Sequence, residues 1–220
     1  MHSDPRPSPP SPVLEYLQRL HSEVAAITEG KVATYIPELA KADPNWFGIC
    51  LVTANGAVYE VGDSRQEFTI QSISKPFVYG MALEDYGRAA VLQKVGVEPT
   101  GDAFNLISLE PGTGRPRNPM INAGAIATAG LIAGREEHRQ RRLLETFNLY
   151  AGRELVFDDA VYQSESDTGH RNRAIGHMLR NFGILTSDPM PVIGLRPRLA
   201  SVAAMTAKSR QDTETEHCLK

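Results

Sequence analysis

The sequence predicts an α/β (α+β) domain: a partial antiparallel sheet with surrounding helices. Three observations carry that prediction. Ile49-Cys50-Leu51-Val52 and Val58-Tyr59-Glu60-Val61 are short β-prone runs on either side of Asn55-Gly56. Asn-Gly between such runs is a strong hairpin signal, because both turn residues accept positive φ. Several longer segments repeat apolar residues at helical spacing. The composition, 41% hydrophobic and 22% charged over 220 residues, is that of a globular chain with enough apolar residues for a core.

Taken in order, Met1 to Pro12 holds Pro5, Pro7, Pro9, Pro10 and Pro12 and reads as an extended tail. Val13 to about Glu29 reads as an amphipathic helix, with Val13, Leu14, Leu17, Leu20, Val24 and Ile27 on one face and Gly30 at its end. Val32 to Ala40 is interrupted at Pro37, and Asp43-Pro44-Asn45 is a turn. The hairpin follows, closed by Gly62-Asp63. A helix then starts near Ser72, with Ile73, Phe77 and Met81 on its buried face and Gly87 as its stop. Pro76 fits only near the beginning of that helix, where a missing N–H costs little.

Leu92 to Pro119 is rich in glycine and proline and reads as a long irregular connection. Met120 to Ile132 is almost all small or apolar, as expected of a buried helix capped near Asn122 and packed through Ala123, Gly124, Ala127 and Ala129. Gly134 to Arg142 mixes charges of both signs, a solvated helix face with Leu143, Leu144, Phe147 and Tyr150 on its buried side. Ala174, Ile175, Met178, Leu179 and Phe182 mark another amphipathic helix. Beyond Ile184, Asp188-Pro189-Met190-Pro191 and Arg196-Pro197-Arg198 are expected to break any regular element. Leu199 to Lys208 reads as a short helix, and Ser209 to Lys220 as a polar, frayed end.

The same residues narrow the functional classes. A net charge of −3 gives no reason to expect nucleic acid or an anionic membrane as partner. The two cysteines, Cys50 and Cys218, form neither a disulfide framework nor a zinc pattern, which points to a reducing compartment. No run approaches a membrane span, and the N-terminus lacks a basic-then-apolar signal, so the expected location is cytoplasmic. His170 and His177 are seven apart, outside the zinc-helix spacing, so no metal site is expected; no cofactor is expected either.

Chemistry is expected at Phe68-Thr-Ile-Gln-Ser-Ile-Ser-Lys-Pro-Phe77, which holds Ser72 and Lys75 as Ser-x-x-Lys. Residues three apart share a helix face, so hydroxyl and amine can meet. A serine becomes a nucleophile when a base takes its proton, and a lysine serves as that base only when its amine is neutral. Alone the pattern means little, since a chain of this length holds roughly one Ser-x-x-Lys by chance.

Further segments give it context: Tyr35-Ile-Pro-Glu-Leu-Ala40, Val95-Gly-Val-Glu-Pro99 with Gly101, Asn118-Pro-Met-Ile-Asn-Ala-Gly-Ala-Ile126, and Ser164-Glu165 through Arg171-Asn172. With the Ser72 segment, this ordered set resembles the serine-dependent glutaminases, which have the β-lactamase/transpeptidase-like fold. The resemblance covers about Val13 to Gly183. It implies that Ser72 is the nucleophile and Lys75 its general base, and that Tyr35, Asn122, Glu165 and Asn172 hold L-glutamine together with Ser72. The residue types suit that substrate. Glu165 can meet an α-ammonium, and Asn122, Asn172 and Tyr35 can donate to an α-carboxylate. Taken singly, each residue has a structural explanation: helix caps for Asn122 and Asn172, a core or surface aromatic for Tyr35, a solvated carboxylate for Glu165. The functional reading belongs to the set. A homo-oligomer, dimer or tetramer, is also implied.

Two departures from the family pattern stand out. His170 stands where the family usually has an aspartate. After Gly183, the family's further tyrosines, remaining sheet strands and Lys-Ser-Gly-type strand with part of the oxyanion hole are not found. The expected organisation is therefore a tail over 1–12, a partial catalytic domain over 13–183 and a divergent tail over 184–220, as in a truncated, alternatively spliced or frame-shifted product. Loss of one oxyanion donor typically costs about 10²–10³ in turnover. Three functions follow: a glutaminase acting through Ser72; a penicillin-recognising acyl transferase, which a β-lactam should label at Ser72; and an impaired fragment that only binds or oligomerises.

Overall fold

The computed structural model describes residues 11–99, 101, 107–200 and 202–204. The Pro-rich stretch to Pro10 and the polar end from Ser209 lie outside them, as do Asp102 and its neighbours. The described residues divide into two units, one formed by those up to Val32 and by Ala42–Glu67, the other by Ala33–Lys41 and those described from Phe68 to Ala204.

In the first unit, β1 (Gly48–Val52) and β2 (Val58–Gly62) form the expected antiparallel hairpin, with Cys50 opposite Glu60 and Val52 opposite Val58. Its turn differs from the expectation. Gly56 takes φ 87° and Asn55 does not share the positive φ. The Gly56 N–H bonds the Thr53 carbonyl at 2.9 Å and the Thr53 N–H bonds the Ala57 carbonyl at 2.9 Å. The loop is thus Ala54-Asn55-Gly56, the three-residue kind that needs one left-handed glycine. Helix α1 (Pro12–Ala25) packs on both strands through a face that includes the buried Leu17. It stops short of the expected Glu29, and Ile27 is exposed. His21 stacks on Phe47 and donates from Nε2 to the Phe47 carbonyl at 3.0 Å. Gly62, at φ 66°, leaves room for that imidazole; a Cβ there would lie 2.1 Å from Nε2.

The second unit is built on α3 (Asn122–Leu131), buried from Asn122 to Ala129. Small residues let neighbours approach closely: α2 (Ser74–Lys94), α6 (His170–Asn181) and α7 (Pro189–Ala200) all pack on α3. Gly124 is required there, because a Cβ would sit 1.9 Å from the Asn118 carbonyl oxygen. Gly87 does not end α2. At φ 73° and ψ 161° it breaks the helix, which resumes and runs to Lys94. Helix α4 (Glu136–Ala151) buries Leu143 and Phe147 and closes on left-handed Gly152. Its Arg142 pairs with Asp85 of α2 at 2.6 Å. Helix α5 (Asp159–Thr168) is capped by the Asp158 carboxylate, which accepts from the Val161 N–H at 3.0 Å.

The region after Ile184 corrects the sequence-based expectation. Its prolines do not prevent regular structure. Pro189 and Pro191 lie in the first turn of α7, where a missing N–H breaks no intrahelical bond, and the Asp188 carboxylate accepts from the Met190 N–H at 3.0 Å. Val192, Ile193 and Leu195 are buried, and α7 packs on α3, α5 and α6. This burial stabilises a helix that runs even through Pro197. Strand β5 (Val202–Ala204) follows, where the sequence suggests a helix, and lies between β3 (Phe68–Thr69) and β4 (Val156–Phe157) in an antiparallel sheet. Phe68 faces Ala204 and Val156 faces Ala203.

Candidate active site

Ser72 lies in the 3₁₀ turn Gln71–Ile73, between β3 and the start of α2. Gln71, at φ 43°, is the only non-glycine residue with positive φ among the described residues. Such backbone is uncommon and persists where surrounding contacts hold it. Here the Ser74 hydroxyl donates to the Gln71 carbonyl at 2.7 Å and the Ile73 N–H to the Ile70 carbonyl at 2.8 Å. The Ser72 side chain is left exposed.

Lys75 follows as the second residue of α2, with Pro76 in the first turn as its chemistry requires. Only 6% of Lys75 is exposed. Its Nζ donates to the Met120 carbonyl at 2.8 Å and to Asn122 Oδ1 at 3.1 Å. Met120 lies two residues before α3 and Asn122 opens it. The approach to that helix is pinned by the Asn118 carboxamide, whose Oδ1 accepts from the Met120 N–H at 2.7 Å and whose Nδ2 donates to the Glu98 carbonyl at 3.1 Å. Asn122 is the first residue inside α3 and Ile121 is its cap, so the capping role open to Asn122 is not the one it takes.

A cleft of about 260 Å³ opens here. Its wall includes Tyr35, Ser72, Asn122, Glu165 and Asn172, together with Ile36, Gln71, Thr168, Gly169 and Arg171. All the sequence-predicted substrate-binding positions therefore meet at one place, and Lys75 reaches it through Asn122. Glu165 is 5% exposed, in the middle of α5. Asn172 lies in the first turn of α6, half-buried, behind the cap residue Gly169. Tyr35 is 63% exposed, on the irregular segment before Pro37. That segment is held by the buried Ile36 and by the Glu38 N–H, which donates to the Ser164 hydroxyl at 3.2 Å. A second cavity of about 410 Å³ shares Glu165, Gly169 and Asn172 with the cleft and is bounded by Met190, Ile193 and Gly194 of α7.

Sequence reasoning does not single out Gln71, Thr168, Gly169 or Arg171. The available signal is adjacency: Gln71 precedes Ser72, Arg171 precedes Asn172, and Thr168 follows Glu165 at a spacing that shares a helix face. Arg173 Nη2 donates to His170 Nδ1 at 2.8 Å. Among the described residues no group of three or more His, Cys, Asp and Glu side chains is placed to hold a metal ion.

Comparison with known proteins gives the same family at every level. The family model for glutaminase matches residues 30–211, which extends well past Ile184. A glutaminase of Nostoc sp. is 55% identical over 177 residues, covering 80% of this chain and 53% of its own length. Glutaminase 1 of Bradyrhizobium diazoefficiens is 50% identical over 194 residues, covering 87% of this chain and 31% of its own. The crystal structure of Mglu in its native form superimposes with a TM-score of 0.83 at 43% identity, over 89% of this chain and 48% of that one. A structure of a probable glutaminase gives a TM-score of 0.83 at 37% identity, over 88% of this chain and 63% of the other. The chain spans about half the length of the first of these curated relatives. The α/β fold expected from the sequence is thus that of solved glutaminases, and the chain belongs to the glutaminase family.

Proposed function

We propose that this chain hydrolyses L-glutamine to L-glutamate and ammonia through a glutamyl ester on Ser72. The observation that carries the reading is the convergence of Ser72, Asn122, Glu165, Asn172 and Tyr35 on one cleft, with Lys75 bonded to Asn122. The Ser72 hydroxyl attacks the side-chain amide carbon as its proton passes to the Lys75 amine. The C–N bond then breaks, and the departing nitrogen takes that proton and leaves as ammonia. Water, deprotonated by the same amine, attacks the ester, and Ser72 regains its proton as glutamate leaves.

The contacts of Lys75 suit a general base. A neutral amine has two N–H bonds and one lone pair. The Met120 carbonyl and Asn122 Oδ1 can accept both N–H bonds, and in the proposed step the lone pair takes the Ser72 proton. Glu165 supplies a carboxylate for the substrate's α-ammonium, and the amides of Asn122 and Asn172 with the Tyr35 hydroxyl supply polar contacts around its backbone atoms. No cofactor or metal is needed for any step.

The proposal extends to a cytoplasmic setting and to a homo-oligomer, dimer or tetramer. Two distant cysteines support a reducing compartment, and the family resemblance supports the assembly. None of the helices, among the described residues, is long and apolar enough to cross a membrane. Sedimentation of the purified chain tests the assembly.

Ammonia release from L-glutamine tests the reaction. The purified chain is expected to release ammonia, and Ser72→Ala is expected to lower the rate by about 10³-fold or more. A cooperatively folded chain that releases none leaves the impaired-fragment reading in its place. Release that persists in Ser72→Ala rules out the acyl-enzyme route.

A further inference from the structure

We propose that Ser74 is a positioning residue for acylation: its buried hydroxyl holds the turn that carries Ser72 and so keeps the Ser72 hydroxyl at the cleft. This deepens the hydrolase reading above and rests on it. The turn is anchored at its two ends and open between them. Ile70 before it and Ser74 after it are buried, whereas Ser72 and Ile73 are exposed. Packing therefore fixes the ends and not the residue that reacts. Among the described residues no hydrogen bond holds the Ser72 side chain, so its direction follows from the backbone of the turn. That backbone includes Gln71 at φ 43°, a conformation that a residue with a Cβ keeps only under outside contacts.

A serine at a helix start ordinarily accepts from a backbone N–H further along the helix. Ser74 does the reverse. No side chain caps α2, and the Ser74 hydroxyl donates backward to the Gln71 carbonyl at 2.7 Å. The Ser74 N–H bonds the same carbonyl, so two donors of one buried residue grip the strained one. The Gln71 side chain is tied elsewhere: its Nε2 donates to Thr69 Oγ1 on β3 at 3.2 Å, which leaves the carbonyl to Ser74. Lys75 is next in sequence but rests on different contacts, the Met120 carbonyl and Asn122 Oδ1. The nucleophile and its proposed base are thus held separately, and loss of the Ser74 hydroxyl loosens the first without disturbing the second.

Ser74→Ala tests this, because it leaves the grip to the backbone N–H alone. Its kcat/KM for L-glutamine should fall about 10-fold, the scale of one hydrogen bond that fixes a reacting group. Its affinity for L-glutamate, measured by calorimetry where thermal melts show the variant folded, should not change, since Asn122, Glu165 and Asn172 stand on other helices. The pH dependence of kcat/KM should keep its wild-type shape, because Lys75 keeps its two acceptors. Ser74→Thr retains the donor and should recover most of the rate. A folded Ser74→Ala chain with wild-type kcat/KM, with glutamate affinity lost in proportion to rate, or with a displaced pH profile overturns the inference while leaving the hydrolase reading standing. A folded wild-type chain that neither hydrolyses nor binds glutamine overturns the hydrolase reading, and this inference falls with it.

Discussion

The two walls of the cleft are built in opposite ways. On one, the turn bearing Ser72 and the buried Lys75 of α2 meet the first turn of α3, a helix buried from Asn122 to Ala129 and closed against its neighbours by alanine and glycine. On the other, the α5–α6 joint offers one buried carboxylate, Glu165, beside the exposed Thr168 and Arg171 and the half-buried Asn172. The proposed reaction needs hydroxyl and base held to a fraction of an ångström, and the close-packed surroundings of the first wall suit that. A wall that grips and releases a small zwitterion needs charge in the right places more than rigidity. The difference teaches that chemistry and recognition can be damaged separately.

Lys75→Met should give the largest separation. It removes the proposed base while keeping an unbranched apolar stem, so kcat for glutamine should fall by about 10²–10⁴-fold, with KM little changed. A comparable loss confined to KM contradicts a catalytic role for that wall. Glu165→Gln acts on the other. It removes the charge proposed to face the substrate ammonium but keeps the shape, and should raise KM so that kcat/KM drops about 10- to 100-fold. Steady-state kinetics on both variants reads the contrast directly.

Stability should follow the same division. Gly124→Ala places a methyl group 1.9 Å from the Asn118 oxygen and 2.7 Å from its carbonyl carbon, both backbone atoms. Overpacking of this kind costs about 1–3 kcal/mol, visible as a lower thermal midpoint. Gly169→Ala meets its nearest neighbour, the Glu165 carbonyl oxygen, at 3.0 Å and keeps a negative φ of −73°, so its midpoint should move less. Equal shifts in the two variants contradict the difference in packing.

The smallest effect is expected away from the cleft, at the Asp85–Arg142 pair between α2 and α4. The Arg142 guanidinium, helped by the Ala133 N–H, holds the Asp85 carboxyl below its usual range against the opposing effect of burial. The folded state therefore binds that proton less readily than the unfolded chain. Its stabilisation is full above about pH 4, the ordinary aspartate range, and is lost as pH falls through the depressed value. Asp85→Asn should cost about 1 kcal/mol near neutral pH, and the gap to wild type in thermal melts should close in acid. A gap that widens in acid contradicts this account of the pair.

Legibility follows how local each signal is. The hairpin, the Ser72–Lys75 turn and the small-residue helix α3 can be read because neighbours in sequence determine them. Gly87 reads as a stop because a glycine that ends a helix and one that breaks and restarts it look alike before tertiary packing is known. Helix α7 escapes the sequence for a similar reason. Pro189 and Pro191 break a helix interior but not a first turn, and only burial of Val192, Ile193 and Leu195 shows which applies. The expected cleft residues are visible as separate motifs. That Gln71 and Arg171 stand beside them depends on the turn and on the α5–α6 joint, which no periodicity reveals.

The central claim, that this chain assembles an acylation site at Ser72, is tested most directly by covalent capture. The purified chain is incubated with an L-glutamine analogue bearing a diazoketone in place of the side-chain amide, and the modified peptide is located by mass spectrometry. The account predicts a single adduct on Ser72, suppressed by excess L-glutamate and strongly reduced in Lys75→Met. A folded chain that stays unlabelled at Ser72, or is labelled elsewhere with no effect of glutamate, contradicts it.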